Sequence, residues 1–318
     1  MNLGAIYEGI IEEGIKSELR TRAQVESQLA SVKKQYKKLQ KREQKFFDKE
    51  SFKNPYADTR ILHGDPNKEI RRVLVGVDIG VAELLVADQL AQRGKPVDLV
   101  MSHHPQGIAL AGLADVMRVQ TDLLENLGIE NSIAKGLMDK RITEVTRRLH
   151  SGNHTRVVDV ARLLDIPLMC CHTPADNHVA KYLQKMMDTQ KPKTLQKVED
   201  LLMKEPEYKA AAKEKIGPCI LVGKPKDKAG KVVVDMTGGT SGSQDIFGRL
   251  SQLGVGTMLC MHIGEKHLQK VRNEYIKVVN AGHMASDNLG MNLLLDKLNR
   301  KGKFEVVVCS GFRRFKRS

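Results

Sequence analysis

The chain has 318 residues, of which 41% are hydrophobic and 28% charged, and it carries a formal net charge of +14. These fractions lie in the normal globular range and exclude wholesale disorder or a coiled-coil rod. No apolar run approaches the roughly 20 residues that span a bilayer, and no signal peptide is expected. The five cysteines include no C-x-x-C pair, which suits neither a disulfide framework nor a cysteine zinc site. We expect a folded protein of the reducing cytoplasm, without a membrane span.

Most of the positive charge lies near the two ends of the chain. Residues 16–54 contain 12 basic and 5 acidic side chains, and residues 313–318 add four basic ones. A basic periphery can attract RNA or an acidic partner. Because the chain has no Trp, only 4% aromatic residues and no arginine-rich block, nucleic-acid binding is an alternative that the sequence does not favour.

The first 54 residues are predicted to form a helical arm, essentially one long N-terminal helix that precedes the body. Its apolar residues recur at heptad spacing, at Val25, Leu29, Val32, Tyr36 and Leu39. Two interpretations fit this seam: a long helix packed on its own body, or a short coiled-coil arm that joins subunits, which the regular heptad spacing favours. Pro55 and the turn-forming segment 58–65 predict that the body begins near residue 55.

Beyond the arm, short β-branched runs alternate with helical stretches, which is typical of α/β architecture. We expect two facing α/β lobes with mixed sheets, the first over residues 55–183 with 288–318 returning to it. Residues 184–287 are expected to form a connection and the second lobe. No internal repeat of any length is visible. The predicted strands are 72–77, 97–101, 166–171, 231–235, 256–263, 275–280 and 304–309.

Polar residues follow the predicted strands, at the edge where ligands bind in open α/β sheets. The groups, in chain order, are Asp78; His103-His104-Pro105; His172 with Asp176; the glycine loop 237–243; Gly264-Glu265 with His267; and Gly282-His283 with Asp287. If the two lobes face each other, these groups converge on one site. A random scatter of ten histidines would rarely produce this arrangement.

The adjacent histidines His103 and His104 suggest two metal ions. Neighbouring side chains at a strand end point to opposite sides of the chain, and Pro105 biases His104 to an extended conformation. The pair therefore suits two ions about 3.5 to 4 Å apart, with one imidazole each. A histidine pair that merely packs or caps the strand is the alternative.

Two further pairs have a four-residue spacing, which places both side chains on one face of a helix. His283 and Asp287 open a predicted helix, where the carboxylate could bridge two ions and the imidazole could bind one. The alternative is that Asp287 or Ser286 is the N-cap of this helix. In the other pair, Asp176 is the better ligand candidate, and His172 is an additional ligand or supports one.

The glycine loop 237–243 lies between a predicted strand and a predicted helix. Its backbone N–H groups could hold an anion at Gly238, Gly239, Thr240 and Ser241. No G-K-[ST] follows, so it is not a P-loop, and an ordinary tight turn is the alternative.

Together these motifs resemble the Nif-three-like, YbgI-type proteins, often labelled GTP cyclohydrolase 1 type 2-like. The resemblance covers about residues 55–318 and implies a dinuclear metal centre in the cleft between two α/β lobes, in a ring-like homo-oligomer such as a hexamer. It implies that His103 and His283 bind one ion, that His104 and Asp176 bind the other, and that Asp287 bridges them. Two departures stand out: the family usually has Glu where this chain has Asp287, and commonly has His-Thr-Asn-Leu-Asp where it has His172-Thr-Pro-Ala-Asp176.

The resulting hypothesis is a metal-dependent hydrolase of a small phosphorylated or nucleotide-like substrate, of cyclohydrolase or phosphoesterase type. Two divalent ions would make water a nucleophile at neutral pH, and His172, Glu265 or His267 could carry a proton to the leaving group. Imidazole and carboxylate ligands suit Zn, Mn, Fe, Co or Ni. The alternative is a non-catalytic metal-binding adaptor, or a metal-handling or regulatory protein, whose site would be closed rather than open.

Overall fold

A computed structural model describes residues 1–317, in which the strands form two sheets. The strands are β1 Arg60–His63, β2 Arg72–Gly76, β3 Leu99–Ser102, β4 Leu168–Cys170, β5 Cys219–Val222, β6 Lys231–Asp235, β7 Val255–Cys260, β8 Lys277–Asn280 and β9 Glu305–Val308. The five-stranded sheet has the order β1-β4-β3-β2-β9, and the four-stranded sheet has the order β5-β8-β7-β6. The chain is therefore the mixed α/β protein with two lobes that the sequence predicts.

Helices cover both sheets and connect their strands. They are α1 Leu3–Lys16, α2 Arg22–Lys38, α3 Lys41–Gln44, α4 Val81–Gln92, α5 Gly107–Ala111, α6 Leu113–Val116, α7 Arg118–Leu127, α8 Asn131–Leu149, α9 Arg156–Leu163, α10 Thr173–Gln190, α11 Leu195–Leu202, α12 Pro206–Lys213, α13 Phe247–Gln252, α14 Glu265–Asn273 and α15 His283–Lys301. Short 3-10 turns lie at Lys49–Phe52 and Gln244–Ile246. Among residues 1–317, no helix has the length and apolar character needed to cross a bilayer.

Four strands of each sheet share one topology, and β9 adds a fifth, parallel strand to the first sheet. In each, the first strand lies antiparallel on one edge, and the next three strands follow as parallel neighbours in reversed order. The third parallel strand of each sheet, β4 or β8, leads into a long helix, α10 or α15. Both helices carry the sequence His-x-x-x-Asp-Asn near their start, at residues 172–177 and 283–288. The lobes are thus a topological repeat. No internal repeat is predicted from the sequence, and the pattern shared at the start of these two helices is only six residues long.

All seven predicted strands are present, whereas the antiparallel edge strands β1 and β5 were not predicted. The prediction that 58–65 is only a turn segment was wrong, because β1 lies within it and pairs with β4. Both missed strands are four residues long and mostly half-exposed. They therefore lack the continuous apolar run that identifies the central strands.

Helices α10 and α15 each follow a strand of one lobe and pack in the core of the other lobe. Helix α10 follows a strand of the first sheet, but its Val179 and Leu183 pack in the core beneath the second sheet, against Val232 of β6. Helix α15 follows a strand of the second sheet, but its Leu294 and Leu298 pack in the core of the first. The proposed boundary at residues 183/184 falls inside α10, which contacts both lobes.

The predicted long N-terminal helix is divided at residues 17–21, and its first part lies inside the body. Leu3, Ile6 and Ile10 of α1 are fully buried in the core of the first lobe. Thr21 then begins α2 with a capping box, in which its hydroxyl accepts from the Gln24 backbone N–H and the Gln24 side chain accepts from the Thr21 N–H.

The heptad seam of α2 packs against the chain itself. Val25 is buried, the other seam residues are half-buried, and the ring of Tyr36 lies 5.1 Å from that of Phe47 and 5.2 Å from that of Phe52. These ring contacts lie within residues 1–54, so they fold the arm on itself. Helix α2 reaches the body through the hydrogen bond from the Gln24 amide to Oδ1 of Asn126 at 3.0 Å, as the first interpretation expects. Pairing of this seam with a second subunit stays a prediction.

Close packing of α10 on α15 is expected to depend on Gly290. A Cβ added there would lie 2.4 Å from the carbonyl oxygen of Ala175, so Gly290→Ala must push the two helices apart. We expect a loss of about 1 to 3 kcal/mol in the free energy of unfolding, measured by urea denaturation, and weaker metal binding because both helices carry proposed ligands.

Gly136→Ala is the matched control for this substitution. Gly136 is also a helical glycine, in α8, but a Cβ there would meet no atom within 4 Å. We expect this variant to be more stable by about 0.5 to 1 kcal/mol, because Ala restricts the unfolded chain. Equal effects of the two substitutions would show that the α10–α15 contact tolerates extra volume.

Candidate metal centre

The adjacent imidazoles of His103 and His104 are oriented by hydrogen bonds from their Nδ1 atoms. Nδ1 of His103 donates to the backbone carbonyl of Cys171 at 3.1 Å, and Nδ1 of His104 lies 2.6 Å from Oδ1 of Asp78. Because these partners accept hydrogen bonds from Nδ1–H, the neutral imidazoles keep a lone pair on Nε2, which is available to a metal ion. Asp78, the first polar residue that follows a strand, thus supports a ligand rather than being one.

The carboxylate of Asp287 is the central group of the site. Its Oδ1 lies 3.5 Å from Nε2 of His103, and its Oδ2 lies 3.5 Å from Nε2 of His104 and 3.4 Å from Nε2 of His283. The sequence predicts that His103 and His104 point to opposite sides, but their ring centroids lie 5.1 Å apart and both imidazoles converge on this one carboxylate, where they contact different oxygens. Asp287 is not the helix cap, because neither of its oxygens accepts a hydrogen bond.

Four buried atoms in the cleft have no hydrogen-bond partner among residues 1–317: His103 Nε2, Asp176 Oδ1 and both oxygens of Asp287. Orphaned buried carboxylate oxygens are costly unless a cation offsets them. Two ligand atoms bound to one ion at about 2.1 Å and a tetrahedral angle lie about 3.4 Å apart, which matches the nitrogen–oxygen distances around Asp287. These residues therefore fit a metal site.

Three sets of three residues could each hold a metal ion, because the potential ligand atoms within a set all lie within 4.8 Å of one another. They are His103, Asp176 and Asp287; His104, His283 and Asp287; and His103, His104 and His172. Asp287 belongs to the first two sets, which is the arrangement of a bridging carboxylate. The pairing implied by the family resemblance differs, because the structure places His103 with Asp176 and His104 with His283.

His172 is held by Asp58, a contact that the sequence analysis missed. Nδ1 of His172 lies 2.9 Å from Oδ2 of Asp58, which is fully buried and also accepts from the Thr173 hydroxyl at 2.6 Å. Nε2 of His172 lies 3.8 Å from Oδ2 of Asp176. Asp58 was assigned to a turn, and no spacing in the sequence relates it to a histidine more than a hundred residues away.

Burial and the neighbouring charges set the protonation of the site. Burial, together with the imidazoles of His103 and His172, lowers the pKa of His104 to about 4, so its imidazole is neutral at pH 7, the form that can bind a metal ion. Burial raises the pKa of Asp176 to about 6. Burial disfavours the His172 cation, but the carboxylates of Asp176 and Asp58 outweigh this effect and raise the pKa of His172 to about 9.

An open cleft of about 280 Å³, which we call the metal cleft, leads to these residues. His262 lines it, with its ring 4.9 Å from that of His283. The sequence analysis missed His262 because it fell inside the predicted strand 256–263, whereas β7 ends at Cys260. Its place just after a strand end, like that of His104 after β3, is the signal that could have revealed it.

The glycine loop forms the opposite wall of the cleft. Gly239, Thr240 and Ser241 line the cleft, whereas Gly238 is buried and its carbonyl accepts a hydrogen bond from the Gln120 amide at 2.8 Å. Gln120 also donates to the Thr240 carbonyl, so this side chain fixes the loop. Anion binding by the loop stays a prediction.

Two of the proposed proton carriers lie outside the metal cleft. Glu265 and His267 line a separate depression beyond the glycine loop, and Nε2 of His267 donates to the Gly242 carbonyl at 3.0 Å. The sequence placed them at a strand end but could not show that α14 begins on the far side of the loop. His172 is the one of the three that faces the metal cleft.

Comparison with known proteins gives a consistent family. Residues 142–312 match the family model for Duf34/NIF3 (NGG1p interacting factor 3). The crystal structure of a NIF3 superfamily protein from Sphaerobacter thermophilus is 30% identical, covers 81% of this chain and 93% of its own, and has a TM-score of 0.71. Reduced HcgD from Methanocaldococcus jannaschii is 16% identical, with coverages of 77% and 86% and a TM-score of 0.45. No curated protein matches the chain.

Paired substitutions can test the grouping of the ligands. His104→Ala with His283→Ala removes two imidazoles from one set and leaves His103, Asp176 and Asp287 in place. His103→Ala with His104→Ala also removes two imidazoles, but one from each set. After reconstitution and dialysis, we expect about two ions per chain in the parent, about one in the first variant and fewer in the second, measured by elemental analysis.

Circular dichroism should show the same fold in all three proteins. The pairing implied by the family resemblance predicts a different result, since removing His104 and His283 would then weaken the binding of both ions. Loss of both ions from that variant, with one retained in a variant that lacks His103 and His283, would contradict the grouping seen in the structure.

Proposed function

The chain belongs to the Duf34/NIF3 family, and from this membership and its cleft we propose that it is a dinuclear metal-dependent hydrolase. The observation that carries the proposal is the convergence of orphaned, buried imidazole and carboxylate atoms at the base of an open cleft. We propose a small phosphorylated or nucleotide-like substrate and a cyclohydrolase or phosphoesterase type of reaction.

Access to the ligands favours catalysis over a purely structural metal site. Structural sites are closed by their ligands, whereas catalytic sites keep a position open to substrate. The side chain of His283 is 40% exposed and that of His104 is 23% exposed, and both line the cleft. This accessibility supports a hydrolase over the non-catalytic adaptor or metal-handling alternative.

The residues of the cleft have different proposed roles in hydrolysis. When bound, divalent ions such as Zn, Mn, Fe, Co or Ni would supply a water nucleophile at neutral pH and positive charge near the reacting oxygen. His103 and Asp176 would hold one ion, His104 and His283 the other, and Asp287 both. His172 faces the cleft through Nε2 while Asp58 holds Nδ1. It can therefore carry the proton that the leaving group needs.

A ring-like homo-oligomer is part of the same proposal, and it rests on the family resemblance. Light scattering of the full-length chain at several concentrations tests it. A mass that corresponds to six chains is expected, and a monomer at all concentrations would contradict it.

The charge of Asp287 is expected to be essential for hydrolysis. Asp287→Asn keeps the side-chain shape but removes the charge that faces three imidazoles. We expect turnover to fall by more than about 100-fold, measured on metal-loaded protein with whichever nucleotide or phosphoester the parent hydrolyses in a screen. Asp188→Asn, an exposed residue later in α10, is the control and should leave turnover unchanged.

Asp287→Glu is the informative companion variant, because the family commonly has Glu at this position. Retained activity would show that either length of carboxylate can bridge the site. An Asn variant that turned over substrate at the parental rate would rule out the bridging role of Asp287.

A further inference from the structure

A second depression, of about 510 Å³, lies beyond the glycine loop and is rich in basic side chains. We call it the basic depression. Its basic residues are Lys140, Arg141, Arg147, Arg148 and Lys266. The first four lie on α8 at spacings that place them on one helix face, and Lys266 faces them from the first turn of α14.

Acidic neighbours neutralise only part of this charge. Glu144 pairs with Arg141 at 3.3 Å, and Asp245 pairs with Lys140 at 4.0 Å and with Lys270 at 3.6 Å. Glu265 also lines the depression, on the turn that carries Lys266.

Three cations of the basic depression stay unpaired. In residues 1–317, Arg147, Arg148 and Lys266 have no acidic side chain within 4.0 Å. Like charges gathered on one concave surface raise the local positive potential, which favours an anion between them. The basic depression therefore has the charge of an anion site.

The basic depression and the metal cleft are neighbours. Ser241 lines both, and its carbonyl accepts a hydrogen bond from Nε of Arg141 at 2.9 Å. Gln120 fixes the same loop from the other side through the Gly238 and Thr240 carbonyls. The loop is thus a fixed wall that separates the two sites and contributes Ser241 to the lining of both.

We propose that the basic depression binds the di- or triphosphate group of a small molecule whose other end reaches the metal cleft. That the other end of the molecule reaches the metal cleft rests on the proposed function, whereas phosphate binding by the basic depression does not. A di- or triphosphate carries about three to four negative charges, which matches three unpaired cations. Arginine side chains bind phosphate oxygens through two parallel N–H donors, which adds geometric selectivity.

A small molecule fits this surface better than single-stranded nucleic acid. Proteins that bind single strands combine basic grooves with aromatic side chains on which bases stack. The lining of the basic depression includes no Phe, Tyr or Trp side chain. It offers charge for phosphates without a platform for successive bases.

Isothermal titration of the full-length protein with inorganic triphosphate, at about 0.15 M salt to screen weak surface binding, tests the proposal. Arg147→Gln with Arg148→Gln should weaken binding by about tenfold or more. Lys37→Gln with Lys38→Gln removes the same charge from the exposed face of α2, and we expect it to change binding by less than about twofold.

Asp287→Asn separates this site from the metal centre, and we expect it to leave triphosphate binding within about threefold of the parent. Unchanged binding in the Arg147/Arg148 variant, or loss of binding only in the Asp287 variant, would overturn the proposal. Preferential binding of a single-stranded RNA oligonucleotide that the same arginine substitutions abolish would also overturn it, in favour of nucleic acid. Absence of turnover with every substrate would count against the proposed hydrolase but would leave this titration unaffected.

Discussion

The packing of α10 and α15, each in the core of the opposite lobe, determines where the proposed ligands lie. Each helix starts at a strand end of one sheet and packs in the core of the other, so the first turns of both helices meet in the cleft. Asp176 and Asp287 lie on these turns and are buried without hydrogen bonds to part of their oxygens. Burying unpaired carboxylates costs several kcal/mol each, and the apolar contacts of the helices with both cores hold them there. The site is therefore stabilised by the fold rather than by its own contacts.

The repeated topology explains why the site is built from equivalent parts that have diverged. The strand ends of β3 and β7 carry His104 and His262, and the helices after β4 and β8 carry His172 with Asp176 and His283 with Asp287. In the first half, Asp58 and Asp78 orient imidazoles, and the second half has the glycine loop in place of such supports. Both halves thus contribute candidate ligands, and the second half also provides a wall of the cleft.

The sequence predicted the central strands and the residues at their ends, because buried parallel strands are continuous apolar runs and the polar residues after them stand out. This pattern was enough to predict that His103, His104, Asp176, His283 and Asp287 are neighbours. It did not identify Asp58 or the grouping of His104 with His283, since contacts between distant segments leave no local pattern. Nor could it show that Glu265 and His267 lie beyond the loop. That result depends on where α14 begins relative to the loop, and periodicity does not encode such a position.

The start of the N-terminal segment belongs to the core, although the basic, heptad-like helix α2 that follows it is largely exposed. Between α1 and α2, the side chains of Glu18 and Arg20 form an ion pair with almost no solvent exposure. Glu18 also accepts a hydrogen bond from the Tyr56 hydroxyl, which Asn177 contacts from the first turns of α10. Asn177 in turn accepts from the Thr237 hydroxyl at the start of the glycine loop, at 2.6 Å. Because Asn177 follows Asp176 directly, this buried network links the N-terminal segment, the loop and a proposed ligand. Glu18 and Arg20 therefore support the site from the connection between α1 and α2.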